Sequence, residues 1–176
     1  MWYVIWATTG KEELTRKAIE KNIAGELYIR ISIPQIVKYE RKGGVDRKVL
    51  KRLFPSYIFV ETDRIEEFAY RLVHMPGFSV VLRNEGYEAL HEAEERLLVS
   101  LIKDGDVIEI STGFIENGKV RIMTGALSGM EGMIKKVNKR KRLATIEVVM
   151  FNRKTSVNLG LEVLETLGED MENNIV

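Results

Sequence analysis

The chain has 176 residues, of which 45% are apolar and 30% charged, with no cysteine and a net charge of +1. This length fits one domain or two small ones, and the apolar content supports an ordinary hydrophobic core. The lack of cysteine excludes disulfides and thiolate metal sites. No apolar run reaches the roughly 20 residues of a membrane-spanning helix, and the start lacks a basic signal-peptide region. Composition therefore predicts a soluble cytoplasmic protein that does not act in a membrane.

The small net charge hides two cationic segments. Lys38–Arg52 contains seven basic and two acidic residues, a local charge of +5. Lys119–Lys154 contains ten basic and two acidic residues, a local charge of +8. Acidic residues in the middle of the chain and near its C-terminal end compensate for them. Segregation of this kind predicts contact with a polyanion at two places.

The first half of the chain alternates between strand-like and helix-like segments. The strand-like segments are Trp2–Thr8, Leu27–Ile33, a charged hairpin over Gln35–Leu50 that turns at Gly43 and Gly44, Ser56–Val60 and Phe78–Leu82. The helix-like segments are Leu14–Ile23, preceded by a capping box of Thr9 and Glu12 and ended by Gly25, then Ile65–Leu72, capped by Asp63, and Ala89–Lys103. This order predicts an α+β domain over residues 1–105, with helices packed on a mainly antiparallel sheet.

The stretch Lys51–Val60 places three aromatic residues around a proline. Pro55 fixes its own φ and has no N–H, so it belongs at the start of a strand. Beyond it, alternation places Tyr57 and Phe59 on one face of the strand and Ile58 on the other. The aromatic side chains are either ordinary core residues or a surface for a partner, and the pattern alone leaves both interpretations open.

The C-terminal part of the sequence lacks helical periodicity and consists of short strand-like segments. Helical periodicity is lost from Asp104 to Asn117, a stretch punctuated by Gly105, Gly113 and Gly118, so we predict an interdomain linker over residues 106–117. The strand-like segments that follow Gly118 are Val120–Met123, Gly132–Val137, Leu143–Phe151 and Thr155–Leu159. Short strands at this spacing predict a small closed β-barrel over residues 118–167. An acidic tail over residues 168–176 completes the chain.

Two ordered sets of motifs resemble a known family. The motifs similar to the N-terminal (NGN) domain of NusG-type transcription elongation factors are Trp2–Val4, Phe54–Val60 and Met75–Gly77. The motifs similar to the KOW domain of the same family, a small SH3-like barrel, are Val120–Gly125, Gly132, Phe151–Arg153 and Thr155–Val157. They follow the family's order along nearly the whole chain.

The resemblance implies a factor that binds RNA polymerase and catalyses no reaction. In this family the N-terminal domain docks on the clamp helices of the largest subunit and on the gate loop opposite. The family's apolar docking pocket maps onto Trp2, Phe54 and Tyr57. Tryptophan and tyrosine are enriched at interface hot spots. A bridge across the polymerase cleft would suppress pausing and termination, so we expect an elongation or antitermination factor that acts as a monomer.

The sequence departs from a general NusG in both domains. Where some relatives read the non-template DNA strand, this chain has His74 and Met75. Two KOW positions at which general family members meet Rho or ribosomal protein S10 through aromatic residues hold Leu127 and Met130, while Phe151 is kept. Basic residues also stand where a common NusG has acidic ones. These differences resemble a specialised paralogue of the LoaP type, whose KOW domain grips RNA.

A cationic patch in the KOW-like part is the predicted RNA-binding site. Its members are Lys135, Lys136, Lys139, Arg140, Lys141, Arg142, Arg153 and Lys154. Lysine and arginine bind RNA phosphates, and the scarcity of aromatic residues favours an RNA hairpin over an unstacked strand. The basic hairpin Lys38–Arg52 could contact upstream DNA or polymerase. Each cationic segment is also consistent with a solvated, charge-protected strand edge.

The sequence predicts no active site, metal or cofactor. His74 and His91 are the two histidines, and neither has ligand-like neighbours in the sequence. No phosphate-binding glycine loop and no catalytic triad are present. Two other functions remain open: a general NusG that couples polymerase to Rho or the ribosome, and a stand-alone KOW-type RNA-binding or ribosome-associated protein.

Overall fold

The computed structural model describes residues 1–75 and 89–167. In chain order, its strands and helices are β1 (Trp2–Trp6), α1 (Glu12–Asn22), β2 (Arg30–Ser32), β3 (Gln35–Lys42), β4 (Val45–Arg52), β5 (Tyr57–Glu61), α2 (Ile65–Val73), α3 (Glu92–Leu101), β6 (Val107–Ile108), β7 (Ser111–Glu116), β8 (Lys119–Thr124), β9 (Ile134–Asn138), β10 (Leu143–Met150) and β11 (Arg153–Leu167). The two compact units are Met1–Pro34 with Phe54–Asp106, and Gln35–Leu53 with the residues from Val107 onward.

The first unit contains a three-stranded sheet with the order β1-β5-β2. Both pairings are antiparallel, and Ile5 of β1 lies opposite Ile58 of β5. Because side chains alternate along a strand, these two residues share a face, and they pack with Ile19 of α1 and Phe68 of α2 in a buried core. Burial of each such side chain contributes about 1.5–3 kcal/mol. Helices α1 and α2 therefore cover one face of this sheet.

The helix caps differ from those predicted. The N-cap residue of α1 makes no side-chain hydrogen bond to the helix. Thr9 Oγ1 instead lies 2.5 Å from Ser56 Oγ, and a Glu12 carboxylate oxygen accepts a hydrogen bond from the Ser56 N–H at 2.9 Å. Both predicted capping residues therefore hold the turn before β5. The cap predicted at Asp63 is also wrong, because Arg64 occupies the N-cap of α2.

The second unit contains a five-stranded sheet with the order β8-β7-β11-β10-β9 and a small sheet with the order β4-β3-β6. Strands β3 and β4 form the predicted hairpin, in which Lys42 pairs with Val45 across two glycines of positive φ. In the larger sheet, β10 pairs antiparallel with β9 and β11. Beyond Gly160, β11 continues as the parallel neighbour of β7. The turn Glu131–Met133 contacts both β8 and β10.

The linker predicted over residues 106–117 requires correction, because β6 and β7 lie within it. Gly113, which suggested a flexible connection, lies inside β7. A Cβ atom built on Gly113 would collide with the backbone carbonyl oxygen of Arg121 on β8. The glycine is therefore required by the close approach of two strands. Its missing side chain also weakens the strand pattern, which explains the error.

The α+β class predicted from the sequence is confirmed, with helices on an antiparallel sheet in the first unit and strands throughout the second. The predicted strand Phe78–Leu82, the turn at Pro76 and Gly77, and the acidic tail over residues 168–176 lie outside the described residues. Within the described part of the chain, no helix is both long enough and apolar enough to cross a membrane.

Candidate functional site

The three residues predicted to dock on a partner belong to one face of the first sheet. The register of β1 and β5 places Trp6 beside Tyr57, and alternation places Trp2 on the same side. Phe54 joins them through Phe59, since the two ring centroids are 5.6 Å apart with an interplanar angle of 66°. We call these five residues the aromatic face. It is the opposite face from the helix-covered core.

The members of the aromatic face differ in exposure. Trp2 and Phe54 are only 2% and 4% exposed. Tyr57 is half-buried, and Trp6 is 45% exposed. The guanidinium carbon of Arg30 lies 5.9 Å from the Trp2 ring. Trp6 and Tyr57 therefore form the accessible part, above a buried floor. The sequence analysis missed Trp6, although its spacing of four residues from Trp2 on a strand places both on one face.

The turn before β5 has a strained backbone. The Tyr57 N–H donates to the Phe54 carbonyl oxygen at 3.3 Å, and Ser56 has a φ of 74°. With Pro55 in the second position, this is the geometry of a type II turn, whose third residue requires positive φ. Glu12, only 1% exposed, accepts the Ser56 N–H. The buried carboxylate thereby helps to position Tyr57 on the aromatic face.

The turn between β9 and β10, residues 138–142, carries four of the predicted RNA-binding residues; we call it the basic turn. The Arg142 N–H donates to the Lys139 carbonyl oxygen at 3.2 Å, and the Lys141 N–H donates to Asn138 Oδ1 at 2.9 Å. Arg142 has a φ of 50°, in the left-handed region. Lys139, Arg140 and Lys141 are exposed on this fixed backbone. The role of Asn138 was missed, although asparagine often closes turns of this kind.

Lys135 and Lys136 lie on β9, at one edge of the five-stranded sheet, and β8 lies at the other edge. Between the two edge strands is a groove of about 540 Å³. Its cationic lining residues are Lys119, Arg121, Lys135 and Lys136. We call it the edge groove. Lys135 and Lys136 lie on β9, the strand that leads to the basic turn, whereas Lys119 and Arg121 lie on β8.

Arg153 and Lys154 lie at the opposite end of β10 from the basic turn. Met150, the last residue of β10, pairs with Arg153. The eight residues of β10 span roughly 24 Å at about 3.4 Å per residue. Lys154 Nζ also lies 3.7 Å from a carboxylate oxygen of Glu147. The single patch predicted from the sequence is therefore corrected, because a whole strand separates its two ends.

A second groove, of about 550 Å³, lies between the β3–β4 hairpin and the basic turn. Its lining residues are Lys38, Tyr39, Glu40, Arg41 and Asp46 of the hairpin with Arg140, Lys141 and Arg142 of the turn. The guanidinium carbon of Arg142 lies 4.2 Å from the centroid of the Tyr39 ring. We call it the composite groove. Two cationic segments that are separate in the sequence are thus neighbours.

The positions at which the chain departs from a general NusG are mostly buried. Met75 belongs to the core of the first unit, and Leu127 and Met130 are buried in the second. His74 is exposed, and its Nδ1 lies 2.7 Å from a backbone carbonyl oxygen of its own helix. The Phe151 side chain is partly exposed, and its backbone has a positive φ. Of the four positions His74, Met75, Leu127 and Met130, only His74 is exposed.

The described residues include one exposed ion pair and two tyrosines with perturbed pKa values. A hydrogen bond between Arg64 and Glu67 raises the pKa of the arginine and lowers the pKa of the glutamate. Burial raises the pKa values of Tyr3 and Tyr28. Among residues 1–75 and 89–167, no three histidine, cysteine, aspartate or glutamate side chains are arranged to bind a metal ion.

A family model described as transcription termination factor nusG matches residues 1–99 of the chain. That match spans more than half of the 176 residues. The chain belongs to the NusG family. Members of the NusG family are transcription factors, not enzymes, and they act with RNA polymerase. The exposed surfaces described above are therefore candidates for binding.

NusG relatives align along almost the whole chain. The transcription termination/antitermination protein NusG of Treponema pallidum is 28% identical over 182 residues, covering 94% of this chain and 98% of the relative. The NusG of Lactococcus lactis is 28% identical over 174 residues, covering 94% and 92%. A solved structure of Thermotoga maritima NusG has a TM-score of 0.55 at 24% identity, covering 90% of this chain and 92% of that one. This likeness shows that the fold is NusG-like.

Proposed function

We propose that this NusG-family chain is a transcription elongation and antitermination factor that docks on RNA polymerase and grips a structured nascent RNA. The aromatic face contacts the clamp helices of the largest subunit, and the same domain reaches the gate loop. The basic turn and the edge groove contact an RNA hairpin. In this respect the chain resembles a specialised paralogue of the LoaP type, and it suppresses pausing and termination by binding alone.

Docking is supported by the graded exposure of the aromatic face. A partner can contact Trp6 and Tyr57 without disturbing the sheet, because both are accessible in the folded unit. Trp2 and Phe54 belong to the same face and are buried. Rigid aromatic side chains that lose little entropy on binding are typical anchors of protein interfaces.

The observation that carries the RNA contact is the fixed backbone of the basic turn. Its cationic side chains project from a turn closed by the Asn138 side chain and by the left-handed Arg142. A pre-formed turn has less conformational freedom to lose when it binds. Each lysine or arginine can neutralise one phosphate and release its counterions. The edge groove adds four more cations, two on β9 and two on β8.

The test reverses the charge of the basic turn with Lys139→Glu, Arg140→Glu and Lys141→Glu together. Binding of an RNA stem-loop to the full chain is measured by fluorescence anisotropy over a range of salt concentrations. Loss of three phosphate contacts should reduce the slope of log K against log salt by about 2–3. The matched control, Lys11→Glu with Lys17→Glu and Lys21→Glu, changes the same charge on exposed positions of the first unit. Equal losses in both variants would contradict a specific site.

A general NusG role is the second candidate, and the alignment with termination/antitermination NusG proteins along the whole chain favours it. Among the positions that the family uses for Rho or ribosomal protein S10, Leu127 and Met130 are buried and not aromatic. Phe151 is aromatic and partly exposed, so it is the residue through which such a partner would bind. Titration calorimetry of the full chain with each protein separates the candidates. Saturable binding that is weakened by Phe151→Ala would favour the general role.

A further inference from the structure

We infer that the β3–β4 hairpin is part of the RNA-binding surface, and that the composite groove holds one stretch of RNA backbone between the hairpin and the basic turn. The inference rests on the proposed RNA contact and extends it to Lys38 and Arg41, far from the turn in the sequence. The competing outcome is a hairpin that binds upstream DNA and takes no part in RNA binding.

Arg142 joins the hairpin to the basic turn. Its guanidinium carbon lies 4.2 Å from the Tyr39 ring centroid on one side, and its Nε lies 3.8 Å from a Glu162 carboxylate oxygen of β11. Its carbonyl oxygen accepts the Leu161 N–H at 3.0 Å. These contacts make Arg142 a positioning residue. They hold the two walls of the groove together and leave the neighbouring Arg140 and Lys141 to contact phosphate.

The register of the hairpin determines which side chains accompany Tyr39. Tyr39 lies opposite Lys48, and Arg41 lies opposite Asp46. Directly opposed residues of an antiparallel pair share a face, so these four side chains lie on the side of the hairpin that meets Arg142. Lys48 Nζ is 6.0 Å from the Tyr39 ring. Arg41 and Lys48 are the cations of this face, and Lys38, which alternation places on the other face of β3, also lines the groove.

The lining of the composite groove has a net positive charge. Five basic and two acidic residues line it, a balance of +3. One of the acidic residues, Glu40, is 3.2 Å from Lys51 Nζ and is thus compensated within the hairpin. Cations on two facing walls suit a single phosphate chain that passes between them, because successive phosphates can be neutralised from both sides.

The test removes the hairpin cations that line the groove with Lys38→Gln and Arg41→Gln. The full chain is titrated against a fluorescent RNA stem-loop and, separately, against a DNA duplex at several salt concentrations. Loss of two phosphate contacts should reduce the RNA salt slope by about 1.4–1.8. The matched control is Lys42→Gln with Arg47→Gln, which removes the same charge from the same hairpin outside the groove lining. The control should change the slope by much less.

Equal effects of the two hairpin variants on RNA, or a loss confined to the DNA duplex, would overturn the inference. The failures of the two proposals are distinguishable. If reversal of the basic turn weakens RNA binding and the Lys38 and Arg41 variant does not, only the composite groove is excluded. If neither variant weakens RNA binding, the proposed RNA contact is excluded as well.

Tyr39 provides an independent test as a positioning residue. Tyr39→Phe keeps an aromatic ring beneath Arg142, whereas Tyr39→Leu removes it. We expect Tyr39→Phe to retain the RNA salt slope of the parent chain and Tyr39→Leu to approach that of the Lys38 and Arg41 variant. Circular dichroism confirms that both variants are folded. A folded Tyr39→Leu variant with an unchanged slope would contradict the inference.

Discussion

The guanidinium carbon of Arg142 lies 4.2 Å from the centre of the Tyr39 ring, and this contact joins two segments that are distant in the sequence. It helps to explain why the hairpin belongs to the same compact unit as the C-terminal strands. The pairing of β3 with β6 and the contacts of β3 with β11 also attach the hairpin to the second unit. The basic hairpin is thereby an integral part of the second unit.

The stability of the second unit should depend on this pair. A double-mutant cycle with Tyr39→Leu and Arg142→Ala should give a coupling free energy of about 0.5–2 kcal/mol, because a cation over an aromatic ring contributes in that range. Urea unfolding of the single and double variants measures it. Strictly additive losses would show that the two side chains do not interact in solution.

Asp106 should be important for the first unit. Its carboxylate accepts hydrogen bonds from Ser32 Oγ at 2.7 Å and from the Ile33 N–H at 3.1 Å, and it lies within 3.4 Å of Arg16 and Arg30. Asp106→Ala would leave these donors without their acceptor, at a cost of about 2–4 kcal/mol.

Asp106→Asn should cost less than Asp106→Ala, because the amide oxygen still accepts one hydrogen bond. The neighbouring exposed Asp104 supplies the control, and Asp104→Ala should change the free energy of unfolding by less than about 0.5 kcal/mol. Denaturant unfolding measures all three variants. Similar losses for Asp104→Ala and Asp106→Ala would contradict the assigned role.

Glu12 should stabilise the turn that positions Tyr57. Glu12→Ala leaves the Ser56 N–H without this acceptor and should destabilise the chain by about 1–3 kcal/mol. Glu12→Gln retains an oxygen that can accept the same hydrogen bond, so we expect a smaller loss. Thermal unfolding ranks the variants, and equal melting temperatures for Glu12→Ala and the parent chain would disprove the role.

Docking can be tested without damage to the core. Phe54→Ala should cost about 3–5 kcal/mol because the ring is buried, so any loss of activity would be ambiguous. Trp6→Ala with Tyr57→Ala removes the accessible part of the aromatic face and should abolish terminator readthrough by polymerase in vitro. The control is Tyr70→Ala, an exposed tyrosine on α2. Full readthrough by the Trp6 and Tyr57 variant would exclude this face.

Gly113 should not tolerate a side chain. Gly113→Ala places a Cβ against the carbonyl oxygen of Arg121, and overpacking of this kind costs about 1–3 kcal/mol. At Gly132 no neighbouring atom lies within 4 Å of a built Cβ, so Gly132→Ala is the matched control. Hydrogen exchange of β7 and β8 amides should increase only in Gly113→Ala. Unchanged exchange would indicate that the two strands can separate locally.

The sequence predicted the structure correctly where the spacing of neighbouring residues alone determined the local structure. Alternation correctly placed Ile58 and Phe59 on opposite faces of β5, and paired glycines located the hairpin turn. The KOW-like strands were also found near their observed positions. In each case the residues that carry the signal are neighbours in the sequence.

The errors arose where long-range contacts override local patterns. Thr9 and Glu12 have the spacing of a capping box, but they hydrogen bond to Ser56 on a different strand. The glycine at position 113 suggested a linker, because the strand that requires it, β8, comes later in the chain and was not visible in the local pattern. The composite groove was unpredictable for the same reason, since only the folded second unit brings Tyr39 to Arg142.

Strand β11 pairs with β10 through its first half and with β7 through Leu161–Leu167. Parallel pairing needs a long crossover, so β7 gains this neighbour only after β8, β9 and β10 have been made. During synthesis the second unit therefore remains incomplete until Leu161–Leu167 can pair with β7. A chain that ends before Leu161 would contain the complete first unit, whereas its C-terminal sheet would lack the pairing of β11 with β7.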